Sequence, residues 1–395
     1  MLLFRLDAEV QKFGSDITDL EVMYSEPQYP IVLGDGFFKK IGLESVLSIK
    51  IVESTIGYIH PLAFEGLKEL YSVNLTNCGF DLLHPDTFAT NNKLRILVLS
   101  GNDLNTMQQK AKPFNQYMLN VPALEELYLA HCNIKELLPT AFNKLKNIVY
   151  ISLEDNRLKT LPDGIFDHVE TIEELDLSTN SIFSLPKNIF RNTSLAILNL
   201  KYNDISTKFD FITNDLQKLD LSYNKIVHVN DIMFNTMDDL NSLNLKGNSI
   251  KKIHQAAFNG LKELRYIDLS FNDLEQISSM IFMSNTKLDV IRINDNPRLK
   301  KLPLEGFVSD RGVFDVYLFD ASNCDFSELG ENTFASMPNL STLNLSWNNI
   351  ETLSKGIFSY LGKLMDLDLS NNLINELNDL LFLHNRNLRR VSRYF

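Results

Sequence analysis

The sequence predicts an α/β solenoid, a stack of coils that each lay a short strand into one concave parallel sheet and return through short helical or irregular convex segments. Three observations predict it. A nine-position pattern, L-x-x-L-x-L-x-x-N/C, recurs along the 395 residues, and its last position is held by Ser54, Cys78, Asn102, Cys132, Asn156, Asn180, Asn203, Asn224, Asn248, Asn272, Asn296, Cys324, Asn348 and Asn372. Nine of the thirteen gaps between these positions are 24 residues, and the others are 30, 23, 21 and 28. Ten residues after that position stands a phenylalanine, at Phe64, Phe88, Phe142, Phe166, Phe190, Phe234, Phe258, Phe282, Phe334, Phe358 and Phe382. Such self-similarity belongs to coils that bury a common interior only by stacking.

Each position has a physical task. In the unit ending at Asn180, Ile172, Leu175 and Leu177 point inward and are followed by Ile182 and Leu185. Leu175 to Leu177 reads as a strand, with side chains alternating between interior and surface. The Asn stands where the chain leaves the strand, and its amide can donate to and accept from backbone groups the turn exposes. Leaving one such rung unpaired costs about 1–3 kcal/mol. The phenylalanines, on turns such as Asp163-Gly164-Ile165-Phe166, should stack as a spine on the convex side.

The irregular units are informative too. The gap of 30 carries Thr106 to Pro113 and moves Phe114 to twelve residues after Asn102; the gap of 28 carries Val308 to Gly312; the gap of 21 after Asn203 lacks the Phe. Insertions in solenoids become loops on one face, where they bind or adjust curvature. Residues 1–42 form an irregular repeat or cap, with a weak match at Ile17, Leu20, Val22 and Ser25 and a Pro- and Gly-containing stretch from Pro27 to Gly36. Residues 43–395 form the array of about 14 repeats. Leu388 and Val391 start a further strand, but Arg393 stands where Leu belongs, so the array reads as truncated at its carboxy terminus.

With 44% hydrophobic and 22% charged residues the chain can bury a core. Its net charge of −12 argues against nucleic acid as a partner, which calls for clustered Lys and Arg. No run of 18 apolar residues suggests a transmembrane helix. Arg5, Asp7 and Glu9 break the amino-terminal segment too early for a signal peptide, so the chain is either cytoplasmic or secreted by a signal it does not itself carry. No catalytic motif stands out, and the seven His residues, among them His60, His84, His131 and His254, lack ligand spacing. No enzymatic activity, cofactor or metal is expected.

The stretch Ile148 to Phe166, with Leu153, Asn156, Leu158, Leu161-Pro162 and Phe166 in register, resembles the 24-residue leucine-rich repeat of animal extracellular proteins. Leu269-Ser270-Phe271-Asn272 and Leu345-Ser346-Trp347-Asn348 resemble it as well. The resemblance covers residues 43–392 and extends to Toll-like receptor ectodomains, chaoptin-like and slit-like adhesion proteins and secreted insect immune proteins. It implies a horseshoe, a concave sheet and protein recognition outside the cell. Cysteine-rich caps and a cytoplasmic signalling domain, frequent in such proteins, are not seen in this sequence.

All three cysteines occupy the Asn position and read as buried thiols; Cys78 and Cys132, two coils apart, are about 10 Å from each other, beyond disulfide reach. Four sequons, at Asn74, Asn192, Asn339 and Asn344, are acceptors for N-glycosylation. The register turns Glu126, Tyr128, Tyr150, Glu154, Glu174, Asp176, Lys218, Asp220, Tyr266, Asp268 and Arg292 outward on the middle strands, as the candidate concave binding face. Within it Tyr128, Asp176, Asp220, Asp268 and Asp320 share one column and suggest an acidic stripe for a basic or polar protein ligand. The leading expectation is extracellular recognition in innate immunity. A cell-adhesion or neural-patterning ectodomain and a regulatory fragment of a larger enzyme stand beside it.

Overall fold

The computed structural model describes residues 16–24, 28–105, 117–206, 213 and 215–392. The insertion Thr106 to Pro113 with Phe114, and also Ser25, Pro27 and Arg393, lie outside the described residues. The chain divides into two compact units between Leu195 and Ala196.

In the first unit the strands are β1 (Asp19–Met23), β2 (Ile31–Leu33), β3 (Ser48–Val52), β4 (Ile56–Ile59), β5 (Ser72–Asn74), β6 (Ile96–Val98), β7 (Glu126–Tyr128), β8 (Tyr150–Ser152) and β9 (Glu174–Asp176). The main sheet runs β1-β3-β5-β6-β7-β8-β9, all parallel, with β2 and β4 paired separately. The second unit contains β10 (Ile197–Asn199), β11 (Lys218–Asp220), β12 (His228–Val229), β13 (Ser242–Asn244), β14 (Lys252–Ile253), β15 (Tyr266–Asp268), β16 (Val290–Arg292), β17 (Leu318–Asp320), β18 (Thr342–Asn344), β19 (Asp366–Asp368) and β20 (Arg390–Ser392). Its sheet runs β10-β11-β13-β15-β16-β17-β18-β19-β20, again parallel, with β12 and β14 as a side pair. Both units are therefore parallel-sheet solenoids, as the spacing predicts. The sole helix among the described residues is Phe37–Lys40, and the remaining returns are turns.

Parallel neighbours need a crossover, and here one coil supplies it. The middle residue of each three-residue strand from β5 to β19 in the main sheets faces the interior: Leu127, Ile151 and Leu175 in the first unit and Leu243, Ile267 and Ile291 in the second are fully buried. Burying such a side chain contributes about 1.5–3 kcal/mol relative to exposure, but only once the next coil covers it. Behind them the phenylalanines stack, with ring centroids 5.9 Å apart for Phe142–Phe166 and 6.1 Å for Phe258–Phe282. Two irregular coils change the spine. Thr213 occupies the missing Phe position and is buried, while Phe307, one residue late, packs on Phe282 with centroids 5.5 Å apart and rings tilted by 52°. The Val308 to Gly312 insertion lies against the return of the preceding coil, where Val308 N–H donates to Ser279 and Asp310 N–H to Met283.

The amide ladder is built as the sequence suggests. Asn156 Nδ2 donates to the carbonyls of Leu129, Leu153 and Glu154 at 2.8, 3.0 and 3.1 Å, and its Oδ1 accepts from Cys132 and Ile134 N–H. Asn248 repeats the arrangement on Leu221, Leu245 and Ile226. A cysteine can donate but has no amide oxygen: Cys132 Sγ points at the carbonyls of Leu99 and Ala130, and the N–H of Leu104 turns to the backbone carbonyl of Cys132 instead. The residue after each cysteine, Gly79, Asn133 or Asp325, accordingly adopts a left-handed conformation that no residue after a ladder Asn adopts. Glycine, asparagine and aspartate tolerate that region best.

A second amide row was not anticipated. Asn91, Asn285 and Asn385, each three residues after a spine Phe, donate Nδ2 to two carbonyls of the preceding return, as Asn285 does to Phe258 and Leu261 at 2.8 and 2.7 Å.

Candidate functional site

The outward surface of the strands differs between the two units. In the first, the register aligns Glu126, Tyr150 and Glu174 in one column and Tyr128, Ser152 and Asp176 in the next. The Tyr128 and Tyr150 rings lie 5.0 Å apart, and Tyr128 Oη donates to Glu126 at 2.8 Å. Burial, and then the hydrogen bond to Glu126, pushes the Tyr128 phenol up to about 12; burial also raises Tyr150. Glu154, just beyond β8, is exposed. Glu125 is paired with Arg95 at 2.8 Å and Asp155 with His131 at 2.5 Å. Glu126, Glu154, Glu173 and Glu174 have no cation in ion-pair range among the described residues. The patch can therefore hold positive charge beside two half-buried phenols.

In the second unit the columns read Lys218, Ser242, Tyr266, Val290 and Asp220, Asn244, Asp268, Arg292, Asp320. The acidic stripe expected there is not continuous, because Asn244 and Arg292 stand between the aspartates. Asp268 also departs from expectation: it is 4% exposed, and its Oδ1 accepts from Ser270 N–H and Oγ at 2.9 and 2.5 Å while Tyr266 Oη donates to Oδ2. A serine two residues on captures the carboxylate in a local turn. Asp220 is engaged likewise, by Ser222 N–H and by Asn244 Nδ2. Burial and Asp268 push Tyr266 up to about 12 against the opposing charge of Arg292, whose buried Nε has no hydrogen-bond partner.

The sequence reading missed the turn residues beyond the strands. The residue before each ladder position is left-handed throughout, and in the second unit these include Tyr202, Tyr223, Phe271 and Trp347, all pointing to the surface. Tyr202 and Tyr223 stack at 4.5 Å and 18°. Lys201 Nζ lies 4.9 and 5.6 Å from their centroids, and Lys246 Nζ lies 4.8 Å from that of Phe271. Their signal was the aromatic residue recurring just before Asn in Tyr202-Asn203, Tyr223-Asn224, Phe271-Asn272 and Trp347-Asn348.

The sequons lie in different settings. Asn192 is exposed; Asn74 and Asn344 are half-buried on strands, their Oδ1 accepting from Thr76 and Ser346; Asn339 bridges Asp315 and Lys363. Cys78, Cys132 and Cys324 are free and buried, and burial pushes the first two up to about 11 and the third to about 12. Among the described residues no group of three or more His, Cys, Asp or Glu is placed to hold a metal ion, and no helix is long and apolar enough to cross a membrane.

The profile of the "Leucine rich repeat" family matches residues 122–182, 214–274, 316–374 and 338–392, together half of the chain. The chain belongs to the leucine-rich repeat family. Among curated leucine-rich repeat relatives it is 31% identical over 117 residues to mouse podocan, covering 29% of this chain and 18% of that protein. It is 28% identical over 168 residues to the zebrafish transforming growth factor beta activator LRRC33, covering 40% and 23%. The chain thus matches a quarter or less of those relatives. A leucine-rich repeat protein of Leptospira interrogans superposes with TM-score 0.67 at 21% identity, covering 96% of this chain and 84% of that one. Toll in the Drosophila Toll–Spatzle complex superposes with TM-score 0.66 at 20% identity, covering 88% and 44%. Likeness at these identities shows the repeat fold.

Proposed function

We propose that this leucine-rich repeat chain is a non-enzymatic scaffold that binds a basic protein outside the cell, in recognition of the innate-immune kind. The observation that carries the reading is the face of β7 to β9, where Glu126, Glu154, Glu173 and Glu174 stand without a cation in ion-pair range, among the described residues, around Tyr128 and Tyr150, whose rings lie 5.0 Å apart at 49°. Carboxylates without an internal counter-ion are available to cations of a ligand, and half-buried tyrosines contribute contact area at low entropic cost. The same charge disfavours a nucleic-acid backbone. The extracellular setting is supported by relatives named as podocan and a growth-factor activator, and by likeness to Toll, whose complex with Spatzle is described as a hub in development and innate immunity and was solved in glycosylated form. Exposed Asn192 is the sequon best placed for a glycan.

The test is to immobilise the full chain, expose it to native extracellular fluid and identify retained proteins by mass spectrometry, beside a variant carrying Glu126→Lys and Glu174→Lys. A basic protein held by the native chain and released by the variant is the expected result; identical sets on both would sink the reading. Expression in a secretory host followed by glycosidase treatment should shift electrophoretic mobility, and an unchanged band removes the glycoprotein assignment.

A further inference from the structure

Turning to the second unit, we infer that the shelf made by Tyr202, Tyr223, Gly247 and Phe271, with Lys201 and Lys246, is a docking site for an acidic, aromatic-bearing peptide segment of a protein partner. This rests on the scaffold reading above but uses a different surface and the opposite charge. The four shelf positions directly precede Asn203, Asn224, Asn248 and Asn272, so coil stacking sets them side by side, about 4.8 Å per coil. Tyr202 and Tyr223 stack, and Gly247 is what lets the Tyr223 ring lie over the next coil, since a Cβ there would meet that ring at 2.5 Å. Phe271 follows, 48% exposed like Tyr202.

Charge complementarity selects the occupant. Lys201 and Lys246 lie against ring faces and have no carboxylate in ion-pair range among the described residues. The aspartates on the adjoining strands keep their charge but turn it into their own turns, where Asp220 and Asp268 accept from Ser222 and Ser270, and neither is in ion-pair range of these lysines. A cation over an aromatic ring keeps its full charge and gains only a modest attraction, so each ammonium can still take a carboxylate. Arg292 adds a third cation, with no ion pair among the described residues and a buried Nε without a partner. Flat rings interleaved with unpaired cations suit aromatic and acidic side chains that alternate along one face of an extended segment, at every second residue and so about 6.6 Å apart.

The probe is a synthetic peptide of about twelve residues, glutamates with phenylalanine at every fourth position so that the two types alternate along one face, titrated by calorimetry into the full chain. Saturable binding is expected, weakened at least tenfold by Lys201→Glu with Lys246→Glu and, separately, by Tyr202→Ser with Tyr223→Ser. Circular dichroism melting of each variant should match the native chain, and a third pair, Lys201→Gln with Lys246→Gln, provides a milder change if the reversal unfolds it. Glu126→Lys with Glu174→Lys should leave this binding unchanged, so failure of the basic-partner reading and failure of this one register separately. Absence of binding, binding insensitive to both substitution pairs, or preferential binding of heparin over the peptide would overturn the proposal.

Discussion

The faces of β7 to β9 and of β10 to β16 are built on one frame yet present opposite chemistry. Both place a buried aliphatic residue at the centre of each main-sheet strand and a ladder residue at its exit, an Asn everywhere except Cys132 after β7. In the first unit the surface positions hold unpaired glutamates around Tyr128 and Tyr150. In the second, the aspartates are taken up by serines in their own turns, and the unpaired groups are Lys201, Lys246 and Arg292. The first face carries Glu126, Glu154, Glu173, Glu174 and Asp176, whereas the second sets Asp220 and Asp268 against Lys201, Lys218, Lys246 and Arg292. What decides the sign offered to a partner is which charges already have a hydrogen-bond donor or counter-ion, and that depends on the residue two places further along the chain.

If the frame is common, damage to it should be equal in the two units. Asn156→Ala and Asn248→Ala each strip several buried carbonyl and N–H groups of their partner, which at 1–3 kcal/mol per orphaned group should cost roughly 2–4 kcal/mol in either case. Chemical denaturation of both variants measures this. A large loss for one and none for the other would mean that the two units are not held by the same device.

The faces should separate where the frame does not. Glu126→Lys with Glu174→Lys should cut binding of a basic lysine–tyrosine peptide about tenfold or more and leave an acidic phenylalanine peptide untouched, and Lys201→Glu with Lys246→Glu should do the reverse. Each exchange corresponds to about 1.4 kcal/mol or more in binding free energy. Isothermal titration of both peptides into both variants completes the comparison, and loss of both affinities in either variant would show that the charge pattern is not what distinguishes the faces.

The repeat made the frame legible. Periodicity alone located every ladder Asn and Cys, the inward strand residues and ten of the buried spine phenylalanines. It failed where a local event moved a residue by one position or diverted a polar group. Phe307 was missed because the longer coil puts it eleven residues after Asn296, not ten. Asp268 was expected on the surface because alternation says only which way a side chain leaves the strand, not whether Ser270 will fold back onto it. The shelf is not legible from strand alternation, because its side chains leave from the left-handed residue before each Asn, beyond the strand. Asn91, Asn285 and Asn385 were legible in principle, as F-x-x-N recurring at three of the spine phenylalanines, but their donors serve returns that periodicity leaves irregular.

Gly247 tests how far the second face is built for its rings. Its φ is +68° and a Cβ would sit 2.5 Å from the Tyr223 ring, so Gly247→Ala combines backbone strain with a clash. A loss of about 1–2 kcal/mol is expected, from the left-handed penalty of about 1 kcal/mol and the displaced ring. The first unit offers the control in Gly79, also left-handed at φ +69° but with open space around a Cβ, where Gly79→Ala should cost the strain alone. Equal losses at the two positions would mean that the ring of Tyr223 moves aside freely and that the shelf is not rigid.

The smallest expected effect lies in the phenols. Tyr128 and Tyr266 both rise to about 12, but from different surroundings: burial and Glu126 at the first, burial and Asp268 opposed by Arg292 at the second. A phenol ionises by losing a proton, so a folded value above the ordinary 10 means the fold favours the neutral form. That contribution is fully present below about pH 10 and is lost as pH rises toward 12. Phenolate absorbance during alkaline titration should show these two tyrosines ionising above the ordinary phenol range near 10. Glu126→Gln should then bring Tyr128 down, because it removes a repelling charge, while Arg292→Gln should push Tyr266 further up, because it removes an attracting one. Shifts of the same sign in the two variants would contradict the electrostatic difference between the faces, since only an anion beside one phenol and a cation beside the other can move them in opposite directions.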